Sequence, residues 1–313
     1  MTQKKRHHYV PEAYLRAFCN ASGLVKVHPK LEGAETYFVS PSGTGVRRYY
    51  YSQPTPEGGI DNNRLEDFFS TLEGLWPPLV KKMERRENVN NDLSIIFEFT
   101  ALQRVRVPAS RDATEMRLAT SVKQVLLALH AAGRLPPIPA QLGSLDSVAV
   151  AIDPHQSIHG MVTDVLGPVS KVFARIGLCL VHNATLLPFL TSDNPVIWFD
   201  PSVPDNEQRP YEVAPDGPIL FLFPVSPTML LMGTDAHKPA FAIEGLLHAD
   251  APDDEWVLRI NETICKYGYE VVYASTPGQE DIIKRYVGTS PVHDPTDGSR
   301  MIFGKLTKLP NWK

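Results

Sequence analysis

Apolar residues recur at helical spacing along the first half of the chain and in short unbroken runs along the second. Near the start, Tyr14, Leu15 and Phe18 follow Pro11 on one face of a short helix, with proline suited to its first turn. Gly23 to His28, Tyr37 to Val39 and Arg47 to Tyr51 predict short strands, a small β-rich flap followed by the loop Gln53 to Ile60. The period changes at Asn62 and Asn63, either of which can cap a helix through Leu65, Phe68, Phe69, Leu72 and Leu75. Pro77-Pro78 should interrupt it, leaving Leu79 to Glu87 as a second, basic piece. Asn91 or Asp92 caps the next helix, carrying Leu93, Ile96, Phe97, Thr100, Ala101 and Arg104 toward Pro108, which ends or kinks it. From Ser110 to Gly133 the helical pattern resumes, with Met116, Ala119, Val122, Val125, Leu126 and Leu129 on one face.

Pro136, Pro137 and Pro139 form the clearest linker, and a helix then runs from Asp153-Pro154 to a cap at Gly177. Leu178 to His182, Phe189 to Thr191, Val196 to Phe199, Ile219 to Phe223 and Met229 to Met232 read as buried strands. A helix from Asp253 to Tyr267, a strand Glu270 to Ala274 and a short helix Gln279 to Tyr286 follow. The expected class is α+β, a helical N-terminal half packed on a mostly antiparallel C-terminal sheet. Residues 1–135, with the flap, and residues 136–313, with the sheet, are read as two regions of one integrated domain.

Composition narrows the field. A net charge of −4 over 313 residues excludes coating of nucleic acid or anionic membrane by bulk charge. Cys19, Cys179 and Cys265 lie far apart without a CxxC, so reduced thiols in a cytoplasmic protein are expected rather than a disulfide or zinc–thiolate scaffold. No run of apolar residues is long enough for a membrane span, and no secretory signal is expected at the N-terminus. The Walker, GxGxxG, HExxH and zinc-deaminase signatures are absent.

Five segments, HHYVPEAYLRAF, LEDFFSTLEG, ALQRVRVPASR, FLTSDNPV and LFPVSP, stand in this order between His7 and about Ser275. Together they resemble the bacterial family called domain of unknown function 4238, through its HHxVP, QxxRxP and TSDNPV-like motifs. That resemblance implies no particular reaction, so the chemistry rests on the side chains themselves.

His7 and His8 are adjacent, and in an extended segment their rings point to opposite sides; one could act as general base or metal ligand while the other packs. Both would sit just before a helix N-terminus, which favours an anion. Glu66 and Glu73 share a helix face about 10 Å apart along the axis, and Glu73 interrupts the apolar face more. Gln103, Arg106 and Ser110 fall at i, i+3 and i+7, with Arg111 beyond; Arg106 offers either a fork for phosphate or an internal pair, with Glu73 as partner. Ser192, Asp193 and Asn194 form a turn that could line a cleft, Asp193 being the leading carboxylate, and Asn261 is a weaker polar contact. His155 and His159, at i and i+4, are a further metal candidate.

The reading is a hydrolase of a phosphate-containing substrate, of the metal-dependent nuclease or phosphodiesterase kind. His7, His8, Asp193 and Glu73 are the catalytic candidates; Gln103, Arg106, Arg111, Ser192, Asn194 and Asn261 bind substrate. His8 and Asp193 are the candidates to hold a divalent metal, Mg or Mn. The partners expected are a phosphate-containing small molecule or nucleic acid and no membrane, with oligomeric state open. The alternative is a non-catalytic binding protein, or a defence or toxin-type effector, whose same groups form a structural polar core.

Overall fold

The computed structural model describes residues 4–137, 144–145 and 148–292, with no side chains described for residues 154–164. The flap holds β1 (Arg6–His8), α1 (Glu12–Leu15), β2 (Val25–Pro29), β3 (Tyr37–Val39), β4 (Val46–Arg48), β5 (Gln53–Pro54) and β6 (Ile60–Asp61). The helical layer is α2 (Arg64–Glu84), α3 (Leu93–Arg106), α4 (Pro108–Ala131) and α5 (Pro154–Arg175). The second half runs β7 (Gly177–His182), β8 (Thr191–Ser192), β9 (Ile197–Phe199), β10 (Leu220–Ser226), β11 (Met229–Thr234), α6 (Lys238–Glu244), β12 (Leu247–Asp250), α7 (Asp254–Tyr267), β13 (Val271–Ala274) and α8 (Glu280–Arg285). The class is α+β, helices first and a largely antiparallel sheet after.

The larger sheet has the order β12-β7-β11-β10-β9, antiparallel throughout except for the parallel pair β12 and β7. Both of its faces are covered. Leu178, Leu180, Phe221, Phe223 and Leu231 face a core shared with α1, α2, α3 and α5, whereas Cys179, Val181, Leu222, Leu230 and Ile197 face α7 and α8. This is why the strands read as unbroken apolar runs rather than alternating ones. A smaller sheet, β3-β2-β13-β8, joins the flap to the second half.

Tyr14 fastens α1 into this architecture. Its hydroxyl meets Thr191 Oγ1 at 2.6 Å and donates to the Pro224 carbonyl at 2.7 Å, while its ring stacks on Phe223. Pro224 sits where the β10–β11 register shifts, a bulge that tolerates a residue without an N–H.

Three local expectations are corrected, and two elements form where none was expected. Pro77-Pro78 do not interrupt α2, which is continuous from Arg64 to Glu84. Phe69, Trp76, Leu79 and Met83 are buried along it, each worth roughly 1.5–3 kcal/mol, enough to outweigh the helix hydrogen bonds the prolines remove. Tyr50 and Tyr51 leave β4 for a turn, Tyr49 taking φ of +54°. On α4, Val122 and Val125 are exposed, and the buried residues are Pro108, Ala109, Ser110 and Thr114 at its start. Residues that periodicity did not mark form α6 and β12.

Trp76 is the largest fully buried side chain among the described residues, stacked on Phe99 with ring centroids 4.0 Å apart. Trp76→Ala is expected to cost about 3–5 kcal/mol in urea unfolding, while Phe68→Ala, two turns earlier on the exposed side, should stay within about 1 kcal/mol. Equal effects would contradict this account of α2.

Candidate active site

As an extended strand paired with β4, β1 sends the rings of His7 and His8 to opposite sides. His7 turns inward and is wholly buried. Its Nδ1 accepts the Tyr51 N–H at 2.8 Å, Nε2–H donates to the Lys4 carbonyl at 3.3 Å, and the ring stacks on Tyr51. One nitrogen faces a donor and the other an acceptor, which fixes the tautomer. Burial holds its pKa below the ordinary histidine value, so His7 is a neutral bridge between β1 and the turn after β4.

His8 stays half-buried, and its Nε2 has no hydrogen-bond partner. Burial lowers its pKa too, against the raising influence of the Ser42 carbonyl, Glu12 and Glu73. Its backbone does the anchoring. The His8 carbonyl accepts from Arg106 Nη2, and the His8 N–H donates to Glu66. The expected helix N-terminus beside the pair is only the four-residue α1.

Arg106, the last residue of α3, is wholly buried. Nη1 donates to Glu73 Oε1 at 2.6 Å, the guanidinium lies 4.6 Å from the Phe69 ring centroid, and the Arg106 carbonyl accepts the Tyr51 hydroxyl at 2.8 Å. Burial works against the charge, but Tyr51 and Glu73 outweigh it and raise the pKa further. Arg106 is thus paired to Glu73, joining α3 to α2, rather than presenting an open fork.

Around this pair, polar atoms remain unused. Glu66 Oε1, Arg106 Nε, His8 Nε2 and both ends of the Gln103 amide are buried without a partner. Gln103 lies one turn before Arg106 on α3, and Glu66 two turns before Glu73 on α2. Burial raises the Glu66 carboxyl above its ordinary value, with Arg106 opposing. Such orphaned groups are uncommon in folded proteins and call for a role. His8, Glu73, Gln103 and Arg106, expected from the sequence, therefore lie on three adjoining elements. Glu73 serves Arg106, and Glu66 keeps the unpartnered oxygen.

The other candidates lie elsewhere. Asp193 is wholly buried, its two oxygens accepting the N–H groups of Tyr269 at 2.8 Å and Glu270 at 2.7 Å. Burial pushes its pKa up to about 6, the two backbone donors and Lys30 opposing. Asn194 donates to the Tyr267 carbonyl and Tyr211 Oη, and its own N–H donates to Ser192 Oγ. Asn261 accepts from Leu190 N and donates to the Pro188 carbonyl and Gln279 Oε1. The turn expected to line a cleft is instead a buried clamp between the end of α7 and β13. Arg111 pairs with Glu115 at 2.9 Å and reaches the Tyr50 carbonyl. Ser110 does not share a helix face with Gln103 and Arg106, because the extended Val107 breaks α3 from α4; it bonds Arg104 instead. Among the described residues no three His, Cys, Asp or Glu side chains are grouped to hold a metal ion. His155 and His159 fall on side chains outside the described residues, and Cys19, Cys179 and Cys265 are free thiols.

Two contributors went unmarked in the sequence. Tyr51 lay in a run read only as strand. Arg104 is a buried guanidinium held by Ser110 and stacked 3.5 Å from the Tyr211 ring centroid; burial, joined by Arg117, lowers its pKa while Tyr211 opposes.

With this geometry in view, the chain belongs to the family described as protein of unknown function DUF4238, whose model matches residues 6–278. No curated protein and no solved structure matches it. No helix among the described residues is long and apolar enough to cross a membrane.

Two measurements test these contacts. Glu73→Ala strands a buried cation and is expected to cost about 3–5 kcal/mol, with Arg106→Met recovering part of that loss in the double variant; strict additivity would deny the pairing. For Asp193, the folded pKa lies above the unfolded one. Its contribution to stability is therefore full below about pH 4 and is lost as pH rises through about 6. Unfolding titrations of the natural chain and Asp193→Asn should differ in slope across that window and run parallel outside it.

Proposed function

We propose that the protein is a hydrolase of a phosphate-containing substrate, a phosphodiesterase or nuclease, working at the cluster of His8, Glu66, Gln103 and Arg106 in the cytoplasm. The observation that carries this reading is the set of unpartnered buried polar atoms on those four side chains. The environments of the two titratable groups support it. His8 is held neutral at pH 7 and Glu66 is biased toward its protonated form, the opposed shifts of a general base and a general acid. In this reading His8 Nε2 takes a proton from the attacking water. The oxygen attacks phosphorus, the bond to the leaving oxygen breaks, and Glu66 supplies that oxygen with a proton. Arg106 Nε–H and the Gln103 amide face the developing negative charge, and Glu73 positions Arg106. His8 and Glu73 are the members with surface exposure, so substrate approaches from their side. A divalent ion, Mg or Mn, would be held by the Glu73 carboxylate and the substrate phosphate and would help neutralise the developing charge, since such ions take one or two carboxylates and keep water.

A second reading, a non-catalytic binding or defence-type effector, draws on the paired groups: the Arg106–Glu73 bridge, the two-sided His7 bridge and the Asp193 clamp. On this view the family motifs are a folding core.

Purified protein assayed on bis(p-nitrophenyl) phosphate and on single- and double-stranded nucleic acid, with EDTA, Mg or Mn, separates the two. The hydrolase predicts turnover that falls roughly 10²–10⁴-fold in His8→Gln and in Glu66→Gln at nearly unchanged melting temperature, with the acid limb of kcat/KM centred below pH 6.5. No turnover on any substrate, with a melting point lowered by several degrees in His8→Ala, would favour the effector.

A further inference from the structure

Far from this cluster, the edge of the larger sheet carries a second group of ligating side chains. His182 ends β7, and His248 and Asp250 lie two residues apart on the parallel edge strand β12. Register sets Asp250 opposite His182, so the three side chains share one face of the sheet. His182 Nε2 and His248 Nδ1 stand 3.0 Å apart. Two imidazole nitrogens bound to one zinc-like ion lie about 2.9–3.4 Å apart, from octahedral to tetrahedral angles at a bond length near 2.05 Å. The observed separation falls in that interval before any metal is present.

We propose that His182, His248 and Asp250 form a site for a divalent transition-metal ion of the zinc, copper or nickel class, and that Arg86 is its tethered competitor. Arg86 pairs with Asp250 and is the cation acting on both histidines. With Asp250 engaged by Arg86, His182, His248 and Asp250 are not gathered on a common centre in this structure. Arg86 is also the residue that turns the chain out of α2 in a left-handed conformation, φ +56°, where glycine is the usual choice. Retaining a long cationic side chain at that strained position places its guanidinium over Asp250. Arg86 and Asp250 are both well exposed, so the pair separates at little cost and the guanidinium can swing into solvent.

Imidazole nitrogens select this metal class over Mg or Ca. Both histidines are held below the ordinary value, by burial first and Arg86 next, which leaves them neutral and able to ligate at pH 7. The hydrogen between the facing nitrogens moves to an outer ring nitrogen when the ion enters, so binding two neutral imidazoles releases no proton at that pH. The site is separate from the proposed hydrolytic cluster, and its test does not depend on activity.

Tag-free protein stripped with EDTA is titrated with Zn²⁺ by calorimetry, and with Co²⁺ by visible absorption as a geometry probe. One equivalent of Zn²⁺ is expected, with a Co²⁺ spectrum of four- or five-coordinate intensity. His248→Ala, an exposed edge position, should weaken binding about tenfold or more. Arg86→Ala should tighten it, and excess Mg²⁺ should not compete. Binding unchanged in His248→Ala would overturn the site, as would competition by Mg²⁺. Affinity in Arg86→Ala no higher than in the natural chain would overturn the role of Arg86.

Discussion

The contact on which the rest of the N-terminal half depends is the buried guanidinium of Arg106. The guanidinium donates to the carbonyl of His8 on β1 and the carboxylate of Glu73 on α2, while the backbone carbonyl of Arg106 accepts the hydroxyl of Tyr51. A charge in so dry a place is tolerated only with partners in good geometry, and each of those partners is thereby fixed. The HHxVP strand cannot shift without leaving Arg106 short of an acceptor. Once β1 is fixed, His7 and His8 must face opposite ways, and α1 delivers Tyr14 to the β10 bulge. The flap, the helical layer and the sheet are thus coupled through Arg106 at the end of α3 and Tyr14 on α1.

A second anchor of different character ties the sheets together. Asp193 accepts two consecutive backbone N–H groups at the start of β13, and Asn194 caps the end of α7 through the Tyr267 carbonyl. Here every strong hydrogen-bonding atom except Asn194 Oδ1 is used. Asp193 thus has geometry suited to structure, whereas the His8 cluster retains unused donors and acceptors. Two family motifs that look alike in sequence, polar residues at the end of an apolar run, therefore play different parts.

Much of the fold was legible because its signals were local. Proline at 108 fixes Val107 in extended backbone and starts α4, Asp253 caps α7 by accepting from Trp256 N, and the apolar runs of β7, β10 and β11 reflect a sheet covered twice. What misled was also local. Two adjacent prolines argue against a helix, yet the burial of Trp76 and Met83 is a tertiary term that no window of sequence contains. The same limit applied to the site. Spacing placed Gln103, Arg106 and Ser110 on one face by assuming an unbroken helix, and the break at Val107 sent Ser110 to Arg104. Spacing could put Glu66 and Glu73 on one face of α2, but only the position of Arg106 decides which of them keeps an unpartnered oxygen.

That assignment has an energetic side. An unpartnered buried donor or acceptor costs about 1–3 kcal/mol, and Glu66, Gln103, Arg106 and His8 together hold five such atoms. Apolar residues of similar size would fill the same volume without that cost, as Leu102 and Val105 do on the same helix. Replacing Gln103 in this way would relieve desolvation without breaking a side-chain hydrogen bond, whereas Glu66 and His8 each combine an unpartnered atom with a bonded one. Glu73 is different, since removing it would strand Arg106, and so is His7, which bonds on both sides. The cluster therefore divides into groups whose partners the fold supplies and groups with atoms it leaves without a partner. The second set, His8, Glu66 and Gln103 with the spare Nε–H of Arg106, is where a ligand would satisfy what the fold leaves unsatisfied.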